Sequence, residues 1–478
     1  MFLPIIIQGG MGVAISNWRL ARAVSLTGQL GVVSGTLLPV VHARILQRGD
    51  PGGHLRRAFD HFPIPAMAAR VWNDYYVPGG IPAGRPFKLT PMPSMKPSAA
   101  LMEITVVSAF AEVFLAKEGH TGPVGLNLLE KIQLPTLPSL YGAMLAGVDA
   151  VLMGAGIPRA IPGILDCFAR GESASIKIDI DGLPSDAPEA SLEFGPRSLF
   201  LDTPPLLKRP QFYAVVSSAA LAQTLAKKST GKVDGFVVEG ASAGGHNAPP
   251  RGPLQLSTSG EPVYGPRDAP DLSKFRELGV PFWLAGACSR PEKITEALAL
   301  GAAGVQIGTA FAVCDESGLD PTLKQRLREQ IRDGSVHVRT EPCASPTGFP
   351  FKVVQVPETL SDPALHEKRS RICDLGYLRQ PFMRTDGSFG YRCSAEPVPD
   401  YLRKNGTLQE TAGRQCLCNA LLATAGLAQR RPESETSQEL PLITAGDELA
   451  ELGHHFDFSG DSLRAEDVVR TLLQATDA

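Results

Sequence analysis

His246 follows Gly244 and Gly245 directly, in the run ASAGGHNAPPRG that ends an apolar stretch, GFVVEG, starting at Gly235. An imidazole set between glycines and a proline-stiffened exit can come close to a ligand. There it can accept a proton, donate a hydrogen bond or stabilise a developing anion. A histidine alone is more often a surface or satisfied core residue. Here two further glycines, Gly286 in PFWLAGA and Gly308 in GVQIGTAF, end the next two apolar runs. With Ala287 and Thr309 they would present backbone N–H groups to an anion, backed by the positive ends of the helices that follow. Small residues could also serve only to let strand turn into helix. Taken together, the stretch reads as a phosphate-bearing cofactor held beside a titratable side chain. Arg251, just beyond, could add an anion contact or simply face solvent.

The elements that must position these residues are legible as an alternation of short apolar runs with helix-patterned stretches. Eight strands are expected: PIIIQGG (from Pro4), QLGVVSG (from Gln29), PVGLNLL (from Pro123), VDAVLMGAG (from Val148), FYAVVSS (from Phe212), GFVVEG (from Gly235), PFWLAGA (from Pro281) and GVQIGTAF (from Gly304). Near-continuous apolar runs suit strands buried on both faces, and eight such units argue for a closed α/β barrel over an open sheet. SNWRLARAVSLTG predicts the first helix, with Ser16 available as its N-cap. A long insertion, about residues 36–122, follows the second strand. It is rich in Pro and Gly from Pro78 to Pro97 and then becomes helical around LMEITVVSAFAEVFLAKEG. SIKIDIDG and LEFGPRSLFL alternate apolar with polar and are expected to form an antiparallel hairpin laid against the barrel. The βα rhythm stops near Gln330, so the expected division is a barrel over 1–335 and an irregular, Cys-containing extension over 336–478. Within that extension RRPESETSQE reads as a linker or loop and LRAEDVVRTLLQ as a closing helix. No solenoid repeat is present.

These motifs resemble the nitronate monooxygenases, formerly 2-nitropropane dioxygenases, which are FMN-dependent (β/α)8 TIM-barrel oxidoreductases. The resemblance runs from about Pro4 to Val313 and rests on IIIQGGMGV, GLNLL, VVEGASAGGHN, FWLAGA and VQIGTAF. It implies that Gly10, Met11 and Gly12 lie along the flavin ring and that Asn127 hydrogen-bonds near it. It further implies that Gly244, Gly245, Gly286, Gln306, Gly308 and Thr309 cradle the ribityl phosphate or its surroundings, with His246 as the catalytic residue. Read without the family, Asn127 could be a turn cap and Met11 core filling. The family carries Gln where this chain has Glu239. A carboxylate cannot donate the hydrogen bond that an amide can, so Glu239 is protonated, paired with a base, or not a flavin contact. Ala241 and Ser242 also stand where an acidic residue is common, and the long loop from Asn247 to Pro270 could be a lid that changes the substrate.

The activity so implied is oxidation of nitronates or nitroalkanes through FMN with O2. Two rivals stay open: an NAD(P)H-dependent enoyl-thioester or quinone reductase, and a non-catalytic flavin-binding accessory protein. Cys373, Cys393, Cys416 and Cys418 could form a tetrahedral zinc or iron–sulfur site, although Cys-x-Cys is a less typical metal spacing and ordinary buried thiols are the commoner case. With 43% hydrophobic and 20% charged residues and a net charge of -3 over 478 residues, the composition is globular and gives no footprint for nucleic acid or an anionic membrane. No apolar run is expected to reach the about 18 residues of a membrane span, and the glycine-broken run from Ile5 to Ile15 does not read as a signal peptide. A cytoplasmic enzyme acting on a small molecule is the expectation; association as a homodimer is compatible with it.

Overall fold

The computed structural model describes residues 3–200, 203–433, 437–460 and 462–474. The strands come in the expected order: β1 (Ile6–Gln8), β2 (Gly31–Ser34), β3 (Val124–Leu129) and β4 (Ala150–Gly154), then β5 (Ala174–Lys177) and β6 (Ser191–Phe194), then β7 (Gln211–Val216), β8 (Gly235–Glu239), β9 (Phe282–Ala285) and β10 (Gly304–Ile307). β5 and β6 pair antiparallel as the hairpin the alternation foretold. The other eight form one parallel sheet in the order β1-β10-β9-β8-β7-β4-β3-β2. Its two edges meet. Ile7 bridges Leu30 in parallel, Gln8 donates its amide to the Leu30 carbonyl at 2.9 Å, and Leu30 donates to Ile6 at 3.2 Å. The sheet is therefore a closed (β/α)8 barrel.

Bulky residues fill its interior, as a solid barrel requires. Ile7, Val32, Leu152, Tyr213, Val237 and Trp283 form a cluster of their own. Trp283 stacks at a tilt on Tyr213, with ring centroids 4.8 Å apart, and its indole N–H donates to the Pro4 carbonyl at 2.7 Å. Gly235 opens β8 because a Cβ there would lie 2.7 Å from the Trp283 ring.

The first helix, Trp18–Leu26, is capped by Asn17, not by Ser16 as expected: the Asn17 carboxamide accepts from the amides of Arg19 and Leu20. Ser16 is drawn elsewhere, where its hydroxyl accepts from the Met11 amide at 2.8 Å and donates to the Gly9 carbonyl at 2.9 Å. The insertion after β2 folds into helices Leu38–Gln47, His54–Asp60 and Pro65–Tyr75 before helix Ala99–Lys117. This last helix is, by length and composition, apolar enough to cross a membrane, against the expectation that no run qualified. Helices from the insertion and the barrel surround it and 72% of its most apolar 18-residue window is buried, so its all-round apolarity is explained by packing.

After β10 the chain makes β11 (Val338–Glu341) paired with β12 (Phe351–Val354), and β13 (Gln380–Met383) paired with β14 (Phe389–Arg392) across DGSFGY. Helix Leu417–Thr424 follows. The stretch expected as a linker pairs Arg430 with Gln438, and its residues 434–436 lie outside those described. The final helix, Ala465–Leu473, packs between the first helix and helix Pro291–Ala299. That is the place of a barrel's eighth helix. The region expected as an appended extension is thus an excursion between β10 and the closing helix, and Val354, Ile443, Leu449 and Val468 share one hydrophobic cluster with the barrel helices.

Candidate active site

A cavity of about 210 Å³ opens at the C-terminal ends of the strands. Gly10, Met11, Gly12, Asn127, Glu239, Gly244, Gly245, His246, Gly286, Gln306, Gly308 and Thr309 all line it, so every residue singled out for cofactor or catalysis converges there. Two other cavities hold only about 10 Å³ each.

The floor is built from close approaches. Asn127, in β3, donates from Nδ2 toward the Gly10 carbonyl at 3.4 Å, and a Cβ on residue 10 would lie 2.2 Å from Asn127 Cβ. Gly286 sits at φ +101°, where a Cβ would meet Ser242 Oγ at 2.8 Å, and Ala287 follows at φ +52°. This left-handed turn lifts the backbone over the end of β9. Nothing among the described residues accepts the Ala287 amide. The helix after Gly308 is a single turn, Thr309–Ala312, so its contribution to anion binding is smaller than the sequence suggested. The Thr309 hydroxyl is already engaged, accepting from the Gly446 amide at 3.0 Å, which leaves the backbone of Thr309 for a ligand.

His246 is held from a direction the sequence did not disclose. Its Nε2 lies 2.7 Å from Ser345 Oγ, which in turn lies 2.8 Å from Thr347 Oγ1. Phe351 stands edge-on to the imidazole at 4.9 Å. Backbone bonds zip the histidine loop to β12: Asn247 donates to Pro350 at 2.9 Å and Lys352 to Gly245 at 3.0 Å. The residue is half-buried and lines the cavity. The apolar surroundings push its pKa down from 6.5 to about 4, so it is neutral at physiological pH.

Burial also pushes the Glu239 carboxyl up from 4.5 to about 8, and among the described residues no base is paired with it. Of the three possibilities left by the sequence, the protonated acid is the one this environment favours. A neutral carboxyl carries an O–H donor, which restores the hydrogen bond a Gln would give at this place. A second carboxyl, Glu448, accepts from the Ser289 amide and hydroxyl, both at 2.8 Å, and burial raises its pKa.

The far wall is made by residues after β10: Phe351, Leu421, Thr444, Ala445 and Glu448. Thr444 Oγ1 accepts from the Gly245 amide at 2.9 Å, and Asp447 donates its amide to the Ser242 carbonyl at 3.0 Å. None of these was singled out from the sequence. The apolar run in Phe351–Val354 is the one local signal that could have suggested a strand here. Arg251 does not line the cavity; it is exposed and donates to the Ser217 carbonyl at 3.2 Å, the solvent-facing alternative.

The lining fits a flavin on two observations. Gln306 Oε1 is buried with no hydrogen-bond partner among the described residues, an acceptor that the imide N–H of an isoalloxazine could fill. The turns at Gly286–Ala287 and Gly308–Thr309 leave room at consecutive strand ends for a phosphate approached by backbone alone.

Residues 207–341 match the family model for nitronate monooxygenase. Over 102 residues the chain is 39% identical to the "Probable nitronate monooxygenase" of Bacillus subtilis, covering 20% of this chain and 26% of that protein. Over 121 residues it is 32% identical to the nitronate monooxygenase of Paraburkholderia phytofirmans, covering 24% and 29% respectively. The chain therefore matches less than a third of the length of either relative. Among solved structures, FabK from Thermotoga maritima aligns over 99% of this chain and 93% of its own, at 15% identity and a TM-score of 0.47.

Proposed function

We propose, from the match of residues 207–341 to the nitronate monooxygenase family, that this protein is an FMN-dependent oxidoreductase whose substrate binds between the flavin and His246. The observation that carries the reading is the convergence of the twelve motif residues, scattered from Gly10 to Thr309, on one cavity at the C-terminal end of a closed barrel. Gly10, Met11 and Gly12 would lie against the ring, Gln306 would accept from it, and the turns at Gly286 and Gly308 would hold the phosphate. Bound there, FMN supplies the two-electron redox chemistry.

The chain's own residues supply position and protons. Ser345 holds Nε2 of His246, leaving Nδ1 as the nitrogen available to a substrate. A neutral imidazole so placed can take a proton from an acidic C–H or lend a hydrogen bond to a carbonyl or nitro oxygen. Glu239, neutral, donates without adding negative charge to the site. Phe351 and Leu421 exclude water from the far side.

On the family resemblance the reaction is oxidation of a nitronate or nitroalkane, with O2 as the electron acceptor. A second reading, an NAD(P)H-dependent enoyl-thioester or quinone reductase, is favoured by one feature. Among the described lining residues there is no Lys or Arg, and the titratable side chains are Glu239, His246 and Glu448. An anionic nitronate would find no fixed positive charge here, whereas a neutral conjugated carbonyl needs only a hydrogen-bond donor. Anaerobic mixing of the flavin-loaded protein with NADH, NADPH and a nitronate separates the readings. Bleaching by the nitronate supports oxidation; bleaching by a nicotinamide supports reduction; the absence of both, with flavin bound, leaves the accessory role. Mass analysis of the released cofactor tests FMN directly, and FAD would overturn the assignment.

A further inference from the structure

Away from the flavin cavity, Cys373, Cys393, Cys416 and Cys418 all line a single second cavity of about 10 Å³. The four thiols are separated by up to 45 positions in the chain, and three different pieces bring them together: the loop before β13, the end of β14, and the start of helix Leu417–Thr424. We propose that they bind one zinc ion as a structural site of four cysteine thiolates.

Several features favour an ion over ordinary buried thiols. Cys373 and Cys393 are within hydrogen-bond reach of each other. The Asn419 side-chain amide donates toward Cys416 Sγ at 3.7 Å. Buried amides are ordinarily matched to oxygen acceptors, and a neutral thiol is a poor substitute; a metal-bound thiolate is a good one. Two hydrophobic clusters take in the neighbouring residues, Leu375, Tyr377 and Leu422 in one and Leu360, Leu417 and Leu442 in the other, so a metal here would add to packing already present. Four thiols around one small cavity of about 10 Å³ suit a single ion. A four-thiolate, tetrahedral, single-ion site without a redox requirement suits zinc. Among the described residues no three side chains yet surround one point at coordinating distance, so binding requires the thiols to turn inward. Cys416 Sγ, now 3.9 Å from the Ile372 carbonyl, must leave that partner.

The site would also reach the active site through the segment before it. The Arg414 guanidinium donates to the Cys343 carbonyl at 2.9 Å and the Gln415 amide to the Ala344 carbonyl at 2.8 Å, next to Ser345.

The test is metal analysis of the full chain, purified without a histidine tag and with reductant present. About one equivalent of zinc is expected, released by a mercurial together with the loss of thiol protection at these four positions. Less than about a tenth of an equivalent of zinc after supplementation overturns the proposal, as does an equivalent of iron in its place or a Cys373–Cys393 disulfide on peptide mapping. Cys416→Ser should lower zinc content at least severalfold while Cys167→Ser, distant from the site, retains it; equal zinc in both would also sink the idea. The measurement on the unmodified chain stands even where Cys416→Ser fails to fold.

Discussion

Two titratable groups held neutral by burial set the character of this site. Glu239 keeps its proton up to about pH 8, whereas in an unfolded chain it would lose it near its ordinary 4.5. Its linkage therefore lowers stability as pH rises between those values, because the folded state holds the extra proton. His246 works oppositely. Its folded pKa of about 4 lies below 6.5, so stability falls as pH drops through that window, where only the unfolded chain gains a proton. Ionising Glu239 also places a carboxylate in the cavity proposed for the flavin. Flavin affinity should weaken as pH is raised through about 8, and Glu239→Gln should bind flavin with a flat pH profile. Fluorescence titration of FMN from about pH 6 to about pH 9 checks both, the range being chosen about the shifted group. Unchanged pH dependence in the Gln variant would remove Glu239 from the site's electrostatics. Replacing His246 by Ala should leave flavin bound and lower turnover by roughly 10² or more. Ser345 touches the ring and not the substrate, so Ser345→Ala should lower kcat up to about tenfold, the scale of one hydrogen bond, with KM little changed and Ser345→Thr restoring it.

At the scale of elements, the barrel strands and the glycine turns were legible because each is a local pattern: an apolar run, then a residue that can turn. The resemblance to a known family suggested roles for Asn127 and Gln306, which no spacing rule would have assigned. What stayed hidden was non-local. Ser345, Phe351 and Thr444 reach the site from about 100 to 200 positions beyond His246, in segments whose apolar pattern is weak. Ser16 differs from expectation for a related reason: its position before a helix suggests a cap, while its actual partners, Gly9 and Met11, lie in a loop whose shape only the fold supplies. The segment around Gly446 shows how tightly such a contact is fitted. A Cβ there would lie 2.8 Å from the Ser242 carbonyl oxygen and 3.0 Å from Thr309 Oγ1. Gly446→Val should therefore push this segment off both glycine turns and weaken FMN binding at least tenfold, with the melting temperature of the flavin-free protein lowered less than that of the loaded one. Equilibrium dialysis against FMN, beside thermal melts with and without it, gives the comparison.

At the scale of the whole molecule, the insertion after β2 and the excursion after β10 hold each other as well as the barrel. Gln429 and Phe87 exchange two hydrogen bonds, at 2.8 and 3.0 Å, and buried Arg44 donates to the Leu427 carbonyl. The final helix then closes the ring, burying Val468, Val469 and Leu472 against the first helix and helix Pro291–Ala299. A chain cut at residue 335, where the βα rhythm fades, would leave the barrel without its eighth helix and His246 without Ser345 and Phe351. It would expose the apolar faces those elements cover, each large buried side chain contributing about 1.5–3 kcal/mol when fully covered. That loss is comparable with the whole margin of a domain, about 5–15 kcal/mol. The 1–335 fragment should therefore be aggregated or unable to retain flavin, whereas Leu472→Ala in the full chain should cost only about 2–5 kcal/mol and leave the flavin bound. Circular dichroism, gel filtration and flavin content of the two proteins, measured side by side, decide it. A monomeric 1–335 fragment with bound flavin would show the barrel to be complete without its closing helix.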